Sequence, residues 1–316
     1  TIRINSASFQ LLSVLGEGSY SVVYLVQCSS GAARGRYALK KIRTISTLST
    51  QRALKEVAYY GQFRSPYLIR ALDSSSIQEP DGSRSIYILL PYYAGGSLQD
   101  LVNSTIFDPG LRLAEHDVLR LFVAVCRGVL TLHRYHAPHA PHAPDDDGAA
   151  AAAGTTQLAE AVPYAHYDLK PDNIFVARDG TPVIGDLGSC SPARIHITSR
   201  AQAVSFQELV AENSTPEFRA PELFDVRPND SFDERVDVWS LGCLLYTMLF
   251  GVNPFVREVR RSGANLKLAV QAGRWSFPDQ DPDDPDTPAY SDLTTALVQQ
   301  ALTVDKEARP STDTVL

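Results

Sequence analysis

Apolar and polar positions divide the chain into a strand-like first part and a helix-like remainder. Residues 8–43 read as strands. Phe9, Leu11 and Leu12 lead into a run from Val14 to Val26 that folds over a glycine turn, which predicts a hairpin. The next strand, Tyr37–Ile42, puts Ala38 and Lys40 on one face. Residues 49–63 carry Leu54, Val57, Ala58 and Tyr60 as an apolar stripe, which predicts a helix. Pro66 breaks it, and Leu68–Leu72 and Ser85–Leu90 read as two further strands. Strand character ends at Pro91, glycines follow, and a helix is expected to begin near Ser97.

Beyond that point the period is mostly helical. Val118, Leu119, Phe122, Val123, Cys126, Val129, Leu130 and Leu132 mark a long, mostly buried helix over 115–135. Asn173–Val176 and Pro182–Gly185 form a short strand pair with a turn at Asp179-Gly180. A capping-box pattern, Ser205-Phe206-Gln207-Glu208, opens a helix over 205–213, with Phe206, Leu209 and Val210 on one side. An apolar helix runs from Asp237 to Phe250. The order, strands first and helices after, predicts an α+β chain with a strand-rich lobe over 1–91 and a helical lobe over 92–316. Residues 136–163 differ in kind. His-Ala-Pro repeats, three aspartates and an alanine run read as a low-complexity, disordered insertion and an untidy surface loop.

Composition narrows this picture. The 316 residues, 44% hydrophobic, suffice for a sizeable core. No apolar run is long enough to span a bilayer, and no secretory signal opens the chain. It begins at Thr1 without Met, as expected of a domain excised from a longer protein. A net charge of −7 argues against nucleic acid as the main partner. Cys28, Cys126, Cys190 and Cys243 have no metal-binding spacing and read as structural thiols of a reducing compartment.

The chemistry concentrates in His166-Tyr167-Asp168-Leu169-Lys170-Pro171-Asp172-Asn173. Asp168 can orient and deprotonate a hydroxyl, Lys170 can neutralise a phosphoryl group in transfer, and Asn173 can hold a hard cation such as Mg²⁺ through its amide oxygen. Asp186, in Asp186-Leu187-Gly188, stands thirteen residues after Asn173 and is placed to hold the same ion. Gly16 and Gly18 allow a backbone to approach phosphates closely, although the motif alone, with Ser21 where a third glycine usually stands, reads better as a plain hairpin turn. Lys40 ends an aliphatic strand, the pattern that reaches α- and β-phosphates, and Glu56 sits at the distance where a glutamate pairs with it. Leu90 reads as guarding the back of a nucleotide pocket, with the backbone of Pro91–Tyr93 along the adenine edge and Val23 facing the ring. Thr215-Pro216-Glu217-Phe218-Arg219-Ala220-Pro221-Glu222 follows, with Arg309 as the expected buried partner of Glu222.

Taken in order, these motifs resemble the protein-kinase family over residues 9–310. Leu89–Tyr93, Tyr164-Ala165-His166, Gly185–Ser189 and Asp233–Ser240 resemble the Numb-associated kinase group, and most its myristoylated and palmitoylated Ser/Thr kinase branch. The resemblance implies a bilobed kinase fold and ATP with Mg²⁺ as cofactors. It also implies a protein substrate with a Ser or Thr acceptor. Asp168, Lys170, Lys40, Glu56 and Thr215 would be catalytic, and Asn173 and Asp186 would hold the metal. Leu15, Gly16, Gly18, Val23, Ala38, Lys40, Leu90, Pro91, Tyr93, Phe175 and Asp186 would contact the nucleotide. A place on the cytosolic face of Golgi or vacuolar membranes, attachment through an acylated segment upstream of Thr1 and a role in trafficking are further implications. Two departures stand out: the insertion, and Tyr167 where kinases usually carry Arg before the catalytic Asp. A pseudokinase scaffold and a small-molecule kinase are the rival readings; the intact polar set and the Thr215–Glu222 segment favour a protein kinase.

Overall fold

The computed structural model describes residues 1–18, 20–28, 34–107, 113–136, 162–278 and 290–316. The predicted insertion therefore lies outside the described residues, apart from His136, Val162 and Pro163. The first part contains β1 (Ile2–Ile4), β2 (Ala7–Glu17), β3 (Ser21–Cys28), β4 (Gly35–Thr44), α1 (Thr47–Gln62), β5 (Asp73–Gln78) and β6 (Arg84–Pro91). Next come α2 (Leu98–Phe107), α3 (Glu115–His133), β7 (Tyr164–Ala165), β8 (Ile174–Val176), β9 (Pro182–Ile184), β10 (Ser191–Pro192) and β11 (Ile195–His196). The rest is α4 (Arg200–Asn213), β12 (Ser231–Phe232), α5 (Arg235–Phe250), α6 (Pro254–Ser262), α7 (Leu266–Gln271), α8 (Asp292–Ala301) and α9 (Thr312–Val315). A strand-rich N-terminal sheet thus stands on a helical C-terminal part, an α+β kinase fold.

The sheet is antiparallel in the order β1-β2-β3-β4-β6-β5. Its alternation feeds two cores. Phe9, Val26, Leu39, Tyr87 and Leu89 pack together on one face. Ile42, Ile86, Ile88 and Leu90 join the larger core that α1 and the helices share. Lys40 is paired with Ile88 across β4 and β6, so it points to the α1 side. The period of two fails in β2, where register shifts leave Leu12 and Leu15 without a direct partner on β3.

Three local expectations need correction. Leu68–Leu72 is not a strand; only Leu68 makes a bridge, to Ile184, and β5 begins at Asp73. The buried face of α1 is Ala53, Glu56, Tyr59 and Tyr60, while Leu54 is 48% exposed and Ala58 faces solvent. A buried charge on that face defeats a search for apolar periodicity. The helix expected at 205–213 begins at Arg200, because Ser199 takes the cap and accepts from the Gln202 backbone N–H. Ser205 therefore lies inside α4. Phe206 and Val210 are buried as expected, and Leu209 is partly buried.

α5 is buried along nearly its whole length and packs against α3 and α8. Gly251 ends it in the left-handed conformation, φ 76°. Among the described residues no single helix is long and apolar enough to cross a membrane. All four cysteines are buried, and burial pushes the Cys126 thiol up to about 12.

Candidate active site

Two clusters of polar side chains meet where the sheet stands on the helical part. The first joins β4, α1 and the turn after β9. Lys40 Nζ lies 2.8 Å from Glu56 Oε1 and 2.6 Å from Asp186 Oδ1. Burial opposes the charge on Lys40, but Asp186 and Glu56 outweigh it and hold the lysine pKa above its ordinary value. Burial raises the pKa of Glu56, with Lys40 pulling it back. The Lys40 charge holds Asp186 below the usual carboxylate range. Tyr60, one turn after Glu56, donates its hydroxyl to Glu56 Oε1 at 3.0 Å.

The second cluster lies on the loop after β7. Asp168 Oδ1 accepts from the backbone N–H of Thr215 at 2.9 Å and from its hydroxyl at 2.7 Å. Lys170 Nζ donates to the same hydroxyl at 2.6 Å and stands 3.1 Å from Asp168 Oδ2. Asn173 Nδ2 donates to the backbone oxygen of Asp168 at 2.9 Å and to Oδ2 at 3.0 Å. The Asn173 amide oxygen is thereby turned away from Asp168. Gly185 ties the clusters together: its N–H donates to the Asn173 carbonyl at 2.7 Å, and its own carbonyl meets His166 Nε2 at 3.0 Å. Tyr167 and Asp186 both have positive φ, 65° and 49°, a backbone conformation that costs about 1–3 kcal/mol per residue and persists only where surroundings enforce it.

Above the clusters, Gly16 pairs with Val23, Val23 with Lys40, Leu25 with Ala38, and Ala38 with Leu90. Leu15 is 44% exposed and Leu90 is buried. Gly18 closes the hairpin by donating its N–H to Ser21 at 2.7 Å. Pro91 can offer only its carbonyl to a ligand. Below, Phe175 stacks on Tyr93 with ring centroids 5.7 Å apart and planes 6° from parallel. Aliphatic side chains of the sheet and the stacked Tyr93–Phe175 pair are apolar surfaces of the kind that suit a flat heterocycle.

A hard cation also fits. Asp186 keeps 47% of its side chain accessible, and the hydrogen bonds of the Asn173 side chain run through its Nδ2. One carboxylate and one amide oxygen, with room for water and phosphate oxygens, is a donor set that suits Mg²⁺.

The description "Protein kinase domain" matches residues 9–140 and 155–316. This chain belongs to that family. The matched spans leave out residues 141–154, inside the predicted insertion. The chain is 37% identical to Serine/threonine-protein kinase ENV7 of Saccharomyces cerevisiae, over 100% of this chain and 92% of the relative. It is 33% identical to Serine/threonine-protein kinase ppk13 of Schizosaccharomyces pombe, over 98% and 89%. Human Serine/threonine-protein kinase 16 is 33% identical over 98% of this chain and 88% of that protein. The family implies ATP and, typically, Mg²⁺.

Some residues that shape this kinase site are given no role in it by the sequence motifs. Asp237, buried at the head of α5, accepts from the backbone N–H of His166 at 2.7 Å and of Tyr167 at 3.0 Å, and contacts His133 Nε2 at 3.0 Å. It fixes the loop that carries Asp168. The signal was present: a carboxylate opening an otherwise apolar helix must find partners when buried. Tyr60 was read only as part of an apolar stripe, although its hydroxyl reaches Glu56. Arg309 does pair with Glu222, at 2.8 and 2.9 Å, as expected.

Proposed function

We propose that this chain transfers the γ-phosphoryl group of ATP to Ser and Thr hydroxyls of proteins, with Asp168 orienting the acceptor. The enzyme is a serine/threonine-protein kinase. One observation carries the assignment of Asp168: its Oδ1 accepts a hydroxyl hydrogen bond at 2.7 Å while the Lys170 ammonium lies 2.6 Å from that hydroxyl oxygen. Those are the two contacts an acceptor hydroxyl needs, a base for its proton and a cation beside the developing bond.

Asp168 orients the acceptor O–H and takes its proton as the oxygen attacks. Lys170 offsets charge on the phosphoryl oxygens. Lys40, fixed by Glu56, holds the α- and β-phosphates. Asp186 and Asn173 would hold Mg²⁺, which when bound neutralises charge on the phosphates. Leu15, Val23, Ala38, Leu90 and Phe175 enclose the adenine, with Pro91 and Tyr93 offering backbone groups to its edge. Gly16 and Gly18 cover the phosphates. Such catalysis is mostly positioning and charge neutralisation.

The test is transfer from radiolabelled ATP to a peptide library, followed by phosphoamino-acid separation. Label on serine and threonine supports the reading. Nucleotide binding with no label on any peptide or protein would favour the scaffold reading instead.

Membership of the Numb-associated kinase group, in its myristoylated and palmitoylated branch, is a finer proposal that rests on the motif resemblance. With it go attachment through an acylated upstream segment, a place on the cytosolic face of Golgi or vacuolar membranes, and a part in trafficking. Fractionation of the full-length protein, with and without acylation inhibitors, tests them. A protein that stays in the soluble fraction contradicts the set.

A further inference from the structure

Arg219 is 7% exposed and takes part in no ion pair among the described residues. A buried guanidinium carries a desolvation penalty that its hydrogen bonds must offset. Two of its bonds go to one residue: Nε donates to Ser214 Oγ and Nη2 to the Ser214 carbonyl, each at 2.8 Å. The guanidinium also lies over the Phe224 ring, 5.0 Å from its centroid. Ser214 Oγ in turn donates to the Val210 carbonyl at 2.7 Å, in the last turn of α4.

The Ser214 carbonyl and the Thr215 N–H belong to one peptide unit, and in a trans peptide they point in opposite directions. Arg219 grips the carbonyl side. Asp168 Oδ1 accepts the N–H side at 2.9 Å. A guanidinium, a peptide plane and a carboxylate therefore stand in series. A cationic donor on a carbonyl polarises the peptide and strengthens what its N–H donates. Burial pulls the Arg219 pKa below its ordinary value, and the charges of Asp168 and Glu217 pull it back.

We propose that Arg219 is a positioning residue for phosphoryl transfer: its two-pronged grip on Ser214 aligns the 214–215 peptide against Asp168 and ties that alignment to the end of α4. The proposal rests on the assignment of Asp168 as the base. A lysine at 219 keeps the charge but can reach the Ser214 carbonyl and hydroxyl only as a point donor. The neighbouring carbonyls stay held without it, Glu217 by Asn253 Nδ2 and Phe218 by Ser240 Oγ, each at 2.8 Å. Loss of the grip should therefore be felt at Thr215 and Asp168 rather than through the whole segment.

The experiment compares wild type, Arg219→Lys and Arg219→Ala by three readouts: kcat and KM for a protein acceptor, Kd for Mg-ATP, and the amide proton shift of Thr215 in ¹⁵N-labelled protein. The expected result is a kcat lower by about tenfold in Arg219→Lys and about a hundredfold in Arg219→Ala, with ATP Kd within about twofold of wild type. The Thr215 amide proton should move upfield in both, as its hydrogen bond weakens. Parallel losses of kcat, ATP affinity and melting temperature would mark a merely structural arginine and overturn the proposal. So would an unmoved Thr215 amide. If wild type transfers no phosphate while the Thr215 amide responds as expected, the assignment of Asp168 fails and the grip stands as a structural fact without the catalytic role proposed for it, which also overturns the proposal.

Discussion

Gly188 lies directly against Glu56: a Cβ on Gly188 would sit 2.7 Å from Glu56 Oε2 and 3.0 Å from its Cδ. The glutamate cannot yield freely, because Lys40 and Tyr60 hold its other oxygen. Gly188→Ala is therefore expected to push Glu56 off Lys40. The outcome predicted is a rise of about tenfold in KM for ATP with kcat changed less. Steady-state kinetics at varied ATP checks it, and an unchanged KM would mean that the carboxylate has room to move.

The Tyr167 ring packs edge-on against Phe206 of α4, with centroids 6.4 Å apart, and Phe206 in turn meets Phe232 at 5.1 Å. An arginine before the catalytic aspartate would pair with a phosphate on the segment between Asp186 and Glu222; a buried tyrosine cannot. Apolar burial of α4, through Ala203, Phe206 and Val210, is expected to order the segment instead. Phosphatase-treated enzyme and enzyme preincubated with Mg-ATP are thus expected to have kcat/KM within about threefold of each other. Activation of about a hundredfold would show that phosphate control persists, with Arg194 or Arg200 as its receptor. Phe206→Ala should cost about 3–5 kcal/mol in urea unfolding.

The charges around Lys40 set a pH dependence. Asp186 has a depressed pKa in the folded state, so its contribution to stability is present above its unfolded value, about 4, and is lost as pH falls through the folded value. Glu56 has a raised pKa, so its ionised form opposes folding above that value, and protonation relieves it. In Lys40→Met both carboxylates lose their cation. The variant should be clearly less stable than wild type at neutral pH, and the gap in melting temperature should narrow as pH falls towards about 4. A gap that widens on acidification contradicts the sign of these couplings.

Arg309 is 2% exposed and holds Glu222 with both terminal nitrogens, the carbonyls of Thr303, Val304 and Arg235, and the Trp239 ring at 5.2 Å. Arg309→Ala would leave Glu222 without its cation and several carbonyls without donors. The expected loss is about 3–5 kcal/mol of stability by urea titration. A loss below about 1 kcal/mol would place the pair among weak surface bridges.

What could be read from the chain depended on how far apart partners lie in sequence. Asp168, Lys170 and Asn173 occur within six positions, so their chemistry is visible as a word. The strand register that puts Lys40 and Ala38 on one face follows from the period of two. Asp237 and Tyr167 bond across 70 residues, and Arg309 and Glu222 across 87. Of these, only the second pair was expected, and only because kinase-like motifs led to it. Leu54 and Ala58 were placed on the inner face of α1 because hydrophobicity was the sole guide, whereas Glu56 occupies that face to meet Lys40. The start of α4 differs from the expected one because Ser199, not Ser205, caps the helix by accepting the Gln202 backbone N–H, and Ala203 in the added turn is buried.

The central claim is that Asp168 positions and deprotonates a protein hydroxyl. Its most direct test is single-turnover transfer from Mg-ATP to a Ser/Thr peptide by wild type and Asp168→Asn, with Mg-ATP affinity measured on the same samples. Asparagine keeps the shape and a bond from Thr215 but cannot take a proton. The prediction is a transfer rate lower by about a thousandfold, ~4 kcal/mol in transition-state terms, with nucleotide affinity within about twofold of wild type. A variant that keeps a tenth or more of the wild-type rate, on the order of 1.4 kcal/mol or less, would contradict it.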